Sequence, residues 1–428
     1  MPPRPRSLAA ACLTIAAFAA LIVARNPDAL FTPQFWAEDG CEWYARAHNS
    51  GALRSLVQPF GGYLQTYPRL VGILSVALGL RHAPLVMALC ALAVQAIVPA
   101  FLMSSRFESV VPGRLRRLAL ALVLLTAPNL YEVHLNVSNS HVHLALLAFL
   151  VVIAPPAASR GWRAFDVGVL LLSGVSGPFC VLLLPVAVVA WLHDRERWSR
   201  VRLLCVLVPA LVQLRLLYGV PGSSRIGWQP DLGASLVGLL EILGGQIFVG
   251  GLVGVDAYAR LHETAWGGHA WLPAVLGALG LAFLVRAVLV TRSFALRALL
   301  MFAGLHLAAA LRSPLIFGEG RPWELLQRPY AGMRYYYFSI LAYLATLLWT
   351  AVADRSRALR VVACGLLAVL LVTGIPADFA LPRQPDLRFA EQVARFEAAP
   401  LRERVELRIT PPPWTMTIVK RRRSFRWW

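Results

Sequence analysis

Lysine is almost missing from this chain. Lys420 is the single lysine among 41 basic residues, and the rest are arginine. Acid is scarce too: there are 22 aspartates and glutamates, and charged residues of both signs make up 15% of 428 positions. A soluble domain of that length needs far more polar surface to cover its core. No Walker loop, dinucleotide fingerprint or nucleophile elbow occurs, which leaves a soluble ATPase or hydrolase site without support. The six cysteines are dispersed. Cys12, Cys90, Cys180, Cys205 and Cys364 lie in apolar segments and Cys41 stands alone in a loop, so neither a disulfide framework nor a metal set is indicated. Strand-type alternation is absent, which excludes a transmembrane barrel. Related halves of the kind that mark many secondary transporters are absent as well.

What the sequence has is apolar length. Hydrophobic residues make up 58%, mean hydropathy is +0.62, and runs near the roughly 20 residues needed to cross a bilayer recur throughout. The net charge of +19 could point to nucleic acid. The arginines, however, cluster in short loops between apolar runs, where they act as orientation signals and touch anionic lipid; no nucleic-acid partner is expected. Met1–Ser7 is basic and 8–24 apolar with no small-x-small cleavage site after it, which reads as an uncleaved signal-anchor.

Arg4 and Arg6 orient the N-terminus to the cytoplasm, with span one at about 7–25. The first external loop then covers 26–82. Within it Tyr63–Leu80 is apolar but short and bounded by Pro68 and Arg81. If it crosses, the loop with Arg106, Arg114, Arg116 and Arg117 falls outside, against the positive-inside rule. An interfacial or re-entrant placement keeps that loop cytoplasmic and is preferred. Later spans fall at 83–103, 115–131, 141–155, a stretch 166–193 broken at Ser173–Pro178, then 201–218, 270–290, 294–312, 335–352 and 357–375, with an interfacial helix near 235–254. The expectation is an all-α, polytopic transmembrane bundle of about eleven spans over 1–375, and a short external tail over 376–428 in which Phe389–Val405 has amphipathic character.

Three polar constellations fall on the external side. The first, Phe35-Trp-Ala-Glu-Asp-Gly-Cys-Glu-Trp-Tyr44, sets Glu38 and Asp39 among aromatics. A carboxylate there can accept a proton from an attacking hydroxyl; a helix N-terminus favouring acid is the bland alternative. Close behind it, Gly61-Gly-Tyr-Leu-Gln-Thr-Tyr-Pro-Arg69 offers Tyr63 and Arg69 for a sugar or phosphate, or simply a turn and a snorkelling arginine. The second, 131–143, gathers Glu132, His134, Asn136, Asn139, His141 and His143. Polar residues at that depth are functional by default. His-x-His beside Glu also resembles metal-ligand spacing, although hydrogen bonding between helices explains such clusters more often. Asn136-Val-Ser138 matches a glycosylation acceptor pattern. The third runs through Phe317–Glu324 to Arg334-Tyr-Tyr-Tyr-Phe338, where Arg334 and Tyr335 either grip a phosphate or anchor a helix in the aromatic belt.

Together these elements resemble the GT-C superfamily of polyprenyl-phosphate-dependent glycosyltransferases, which includes protein mannosyltransferases and the aminoarabinose transferases of lipid A. The carrying motifs are Phe35-Trp-Ala-Glu-Asp-Gly40, Gly62-Tyr-Leu-x-x-x-Pro-Arg69, Glu132 with Asn136 and Asn139, Ser176-Gly-Pro-Phe179, Arg334–Phe338 and Pro411-Pro-Pro-Trp-Thr-Met416, and they are similar to a bacterial branch of uncharacterised membrane proteins. The resemblance implies an inverting transfer of a sugar from a lipid phosphate to an envelope glycan, lipid or protein, outside a bacterial inner membrane. Asp39 would be the general base with Glu38 as rival, and Arg334 or Arg69 would hold the departing phosphate. No ATP is required, while Glu38, Asp39 and Glu132 have the chemistry to chelate a divalent cation. No large soluble C-terminal domain follows the spans, so acceptor recognition has no evident seat. A transporter, flippase or polymerase-like carrier of lipid-linked glycans, and a non-catalytic partner in an envelope complex, are the alternatives from other classes.

Overall fold

The computed structural model describes residues 5–219, 231–266, 269, 271–316, 318–422, 425 and 427. Arg4, Phe317 and, in the basic C-terminal run, Arg423, Ser424, Arg426 and Trp428 lie outside the described residues.

Apolar runs become helices because a helix satisfies its own backbone groups where water is excluded. In chain order the principal helices are α1 (Pro5–Arg25), α2 (Thr66–Leu78), α3 (Ala83–Met103), α4 (Arg114–Thr126), α5 (Ser140–Ile153), α6 (Arg160–Gly174), α7 (Phe179–Asp194) and α8 (Arg197–Gly219). They continue with α9 (Leu236–Val253), α10 (Trp271–Val290), α11 (Phe294–Arg312), α12 (Tyr337–Ala353), α13 (Arg357–Asp378) and α14 (Phe389–Ala398). Six of the described helices, namely α3 with its leading turn, α8, α9, α10, α11 and α13, are long and apolar enough to cross a membrane. This is a membrane protein. Ser176-Gly-Pro178 separates α6 from α7, as the broken stretch at 166–193 implied.

The turns of the bundle gather at two ends. At one end Arg106, Ala154, Pro155, Asp166, Trp198 and Arg202 meet. At the other, which carries the site, lie the C-terminus of α1, the 127–139 turn, the 175–178 turn and Asp378. There Arg25 donates to the Phe379 carbonyl at 3.1 Å, Thr66 N–H to Val175 at 3.1 Å, and Asn129 N–H to Asp378 at 2.6 Å. Helix α9 has contacts with this second end near its start, in its middle and just beyond its end. Gly238 lies against Trp323 and Gln327, Gln246 donates to the Leu326 and Arg328 carbonyls at 2.9 and 2.7 Å, and Val255 just beyond α9 donates to Asp378 at 3.0 Å.

The chain is mostly helical, as the all-α reading expects, and the tail adds one short hairpin that packs on the first loop. Residues 404–408 and 415–419 pair as an antiparallel hairpin, Arg404 opposite Val419 and Arg408 opposite Thr415. The helix expected over 389–405 stops at Ala398, because alternation takes over: Val405, Leu407, Met416 and Ile418 point inward and their neighbours outward. That inner face packs with Phe35, Trp43, Tyr44, Val393 and Phe396 in a core distinct from that of the bundle. Loop and tail therefore form one cap. Two straps join them, Ala37 N–H to the Thr410 carbonyl at 2.5 Å and Thr410 N–H to the Phe35 carbonyl at 2.9 Å. Underneath, α2 presses so closely on the cap that a Cβ on Gly72 would sit 2.4 Å from the Trp43 carbonyl oxygen.

Candidate functional site

A cavity of about 750 Å³ lies between cap and bundle. The 35–44 motif reaches it through a single wide turn, a π-helix over Asp39–Tyr44, a geometry that recurs at functional sites. Successive carboxylates then face different ways. Glu38 and Glu42 line the cavity, whereas Asp39 does not. Asp39 is buried and accepts three bonds from the 137–138 turn: Val137 N–H at 3.0 Å, Ser138 N–H at 2.8 Å and the Ser138 hydroxyl at 2.6 Å. Burial pushes its carboxyl up to about 7 against the pull of these donors. The Ser138 hydroxyl also accepts from Trp43 Nε1 at 2.9 Å. Asp39 thus locks the cap to the bundle, and Glu38 is the acid of the pair that meets the cavity.

Arg69 departs from expectation in the same way. It is 1% exposed, pairs with Glu42 at 2.6 Å, and lies 4.8 Å over the Trp43 ring. It holds α2 to the cap and does not line the cavity. Tyr63 does line it, because Gly61 and Gly62, with φ of 62° and 86°, turn the chain back so that Phe60 N–H meets the Tyr63 carbonyl at 3.0 Å. Two successive positive φ values define a type I′ turn, which glycine adopts without steric cost.

In the second constellation Glu132, Asn139 and His141 line the cavity and Asn136 does not. Asn136 is 2% exposed and braces the turn, donating to the Glu132 and His134 carbonyls at 2.9 and 3.1 Å and accepting from Asn139 N–H at 2.8 Å. Its burial leaves the glycosylation pattern without an accessible amide. His143 uses both ring nitrogens, on the Val133 carbonyl at 2.8 Å and the Tyr337 hydroxyl at 3.1 Å, so the His-x-His pair is not a metal clamp. Among the described residues no group of three or more His, Cys, Asp or Glu is gathered for a metal ion.

Arg334 and Tyr335 complete the opposite wall. Arg334 pairs with Glu132 through Nη1, its backbone N–H donates to the second Glu132 oxygen at 3.2 Å, and Nη2 reaches the Leu315 carbonyl at 2.9 Å. Tyr335 donates to that same carbonyl at 3.0 Å and accepts from Leu315 N–H at 2.7 Å. The guanidinium is fixed rather than mobile.

Three lining features escaped the sequence reading. Arg312 ends α11 and is exposed to the cavity, with no ion pair to any described carboxylate. His306, also on α11, stacks on Phe179 at 5.4 Å, and His141 stacks on Phe179 at 5.4 Å. Gln65 is 4% exposed, and its Oε1 has no donor among the described residues. A histidine inside an apolar run was the legible signal for α11. Gln65 gave none, because its position depends on the 60–63 turn. No family model, curated protein or solved structure matches this chain.

Proposed function

We propose that the chain is a membrane glycosyltransferase that moves a sugar from a polyprenyl-phosphate carrier to an envelope acceptor with inversion. The carrying observation is the meeting of Glu38, Arg312 and the fixed Glu132–Arg334 pair on one cavity between a polar cap and apolar helices. In this reading α2 and α9 lie along the surface and the eleven helices α1, α3 to α8 and α10 to α13 cross the bilayer, although by length and apolarity alone six of the described helices qualify and α9 is one of them. The arginine-rich end at Arg106 and Arg202 then faces the cytoplasm, which puts the cavity on the outer face of the bacterial inner membrane.

In the transfer, the acceptor oxygen attacks the anomeric carbon from the side opposite the lipid phosphate. The carbon–oxygen bond to phosphate breaks and its electron pair leaves with the phosphate. Glu38 takes the acceptor proton, as a carboxylate in hydrogen-bond reach of the nucleophile can. Arg312 meets the growing charge on the phosphate, and Arg334, already oriented by Glu132 and Leu315, adds to the field without reorganising. Leu182 of α7, Leu214 and Leu217 of α8, and Ala309 and Ala310 of α11 supply an apolar wall suited to the prenyl chain. Nucleotide energy is not needed.

The test is turnover of purified protein in lipid with a polyprenyl-phosphate sugar and candidate acceptors. Glu38→Gln should lower kcat about 10²- to 10⁴-fold and Arg312→Ala should slow leaving-group departure. Full turnover in both Glu38→Gln and Asp39→Asn rejects carboxylate base catalysis. Transbilayer movement of the lipid-linked sugar without transfer rejects the enzyme altogether. Orientation is read separately: a cysteine at exposed Leu401 should react with an impermeant maleimide on intact cells beyond the level of the parent chain, and reaction only after disruption reverses the topology.

A further inference from the structure

We propose that Trp36 and Trp414 form a carbohydrate subsite beside Glu38, so that the acceptor is a hydroxyl of a glycan rather than of a peptide or lipid. The proposal rests on the transferase reading and names its acceptor class. The aromatic residues of the cap divide sharply. Phe35, Trp43 and Tyr44 are 1%, 1% and 0% exposed and fill its core, whereas Trp414 is 37% exposed. Trp414 comes from the loop between the hairpin strands, which is closed by its own backbone: Ile409 N–H to the Trp414 carbonyl at 3.0 Å and Trp414 N–H to the Pro411 carbonyl at 3.1 Å. The indole has no part in that closure.

The straps between Thr410 and the 35–37 segment set this loop next to Trp36. The Thr410 hydroxyl adds a bond to the Phe35 carbonyl at 2.9 Å. Both indoles therefore line the cavity that Glu38 lines. A sugar ring offers a face of C–H bonds carrying partial positive charge, which is attracted to the negative face of an indole. Its rim of hydroxyls needs polar partners, and Glu38, Gln65 and Asn139 line the same cavity. A lipid acceptor would compete with the donor chain for the apolar wall on α7, α8 and α11.

The experiment measures binding of the full chain, in lipid nanodiscs, to an immobilised panel of oligosaccharides, peptides and glycerolipids, with turnover recorded in parallel. The wild type should retain a subset of oligosaccharides. Trp414→Ala and Trp36→Ala should each weaken that retention about tenfold, Trp414→Phe should keep most of it, and the unfolding temperature of Trp414→Ala should be unchanged. In turnover, KM for the acceptor should rise in both alanine variants while KM for the donor holds. Retention of peptides or lipids in place of sugars, equal sugar binding in both alanine variants, or no sugar retained at all overturns the proposal. Sugar binding lost in Trp414→Ala alongside no transfer in the wild type removes the transferase reading and leaves the subsite standing.

Discussion

At the end of the bundle away from the cap, Asp166 on α6 is enclosed. Its Oδ1 accepts from Arg106 at 2.5 Å, and its Oδ2 from Arg106, Trp198 and Arg202 between 2.8 and 3.1 Å. The Arg106 and Arg202 guanidinium groups also hold the Ala154 and Pro155 carbonyls. At the cap end Glu132 pairs with Arg334, yet their side chains stay 20% and 34% exposed to the space between cap and bundle, and Glu38 and Arg312 line that same space. Both ends draw on acid and arginine. One spends them on closing the α3–α4, α5–α6 and α7–α8 turns upon one another; the other keeps a chamber open among them. Ion pairs that close a fold lose most of their solvent, whereas those that serve a ligand must keep room for it.

The largest expected effect breaks the closed end. Asp166→Ala leaves two nearly solvent-free guanidinium groups without their counter-ion and should cost about 3–5 kcal/mol, read as a fall in unfolding temperature in detergent. Residual turnover per folded molecule should stay near wild type. A milder loss there would mean that the closed end tolerates unpaired charge and that its contrast with the open end is overstated. Glu38→Gln tests the converse: a large fall in kcat, with a smaller fall in unfolding temperature than Asp166→Ala causes, because Glu38 lines the open cavity.

Asp39 sits between the two modes, closed like Asp166 but at the open end. Its carboxyl is raised to about 7 in the folded chain against an ordinary 3.8. A raised value means that the folded state holds a proton the unfolded state has given up. This contribution is therefore complete below about pH 4 and is lost as pH rises through about 7. The unfolding temperature of wild type minus that of Asp39→Asn should fall across this window and level off above it. A difference rising with pH would show that the three donors, not burial, govern the group, and the cap would then be held by a full carboxylate charge.

The class of fold was legible because apolar length and missing alternation are local properties, and the break at Ser176-Gly-Pro178 is a local signal as well. Seven of the ten candidate residues, namely Glu38, Tyr63, Glu132, Asn139, His141, Arg334 and Tyr335, do meet on one cavity. Asp39 faces away from the cavity for a physical reason: adjacent residues on a helical turn face different directions, and a π turn shifts that direction again, so the sequence alone could not say which acid looks inward. Arg69 lies off the cavity because it pairs with Glu42 of the same aromatic motif. The hairpin was missed for a third reason. Strands of five residues, Arg404–Arg408 and Thr415–Val419, carry only a short alternation and gain their stability from packing on Phe35 and Tyr44 far upstream.

The smallest predicted effect lies within a single carboxylate. Glu42 holds two arginines at 2.6 Å each, but Arg69 is 0% exposed in its side chain and Arg46 is 42% exposed. Distance alone makes the two bonds equal. Solvent does not: water screens the Arg46 bond and competes for both ends, so Arg46→Ala should cost under about 1 kcal/mol. Arg69→Ala removes the partner of Glu42 that is shielded from water, together with a stacking contact on Trp43, and should cost about 3 kcal/mol or more. Thermal unfolding of the two variants side by side measures the gap. Raising salt should shrink the Arg46 effect and leave that of Arg69 nearly untouched, since exposed charges are screened and buried ones are not. Equal losses in both would mean that water reaches the Glu42 pocket, and that the wall of the cavity beneath Glu38 is wetter than its packing implies.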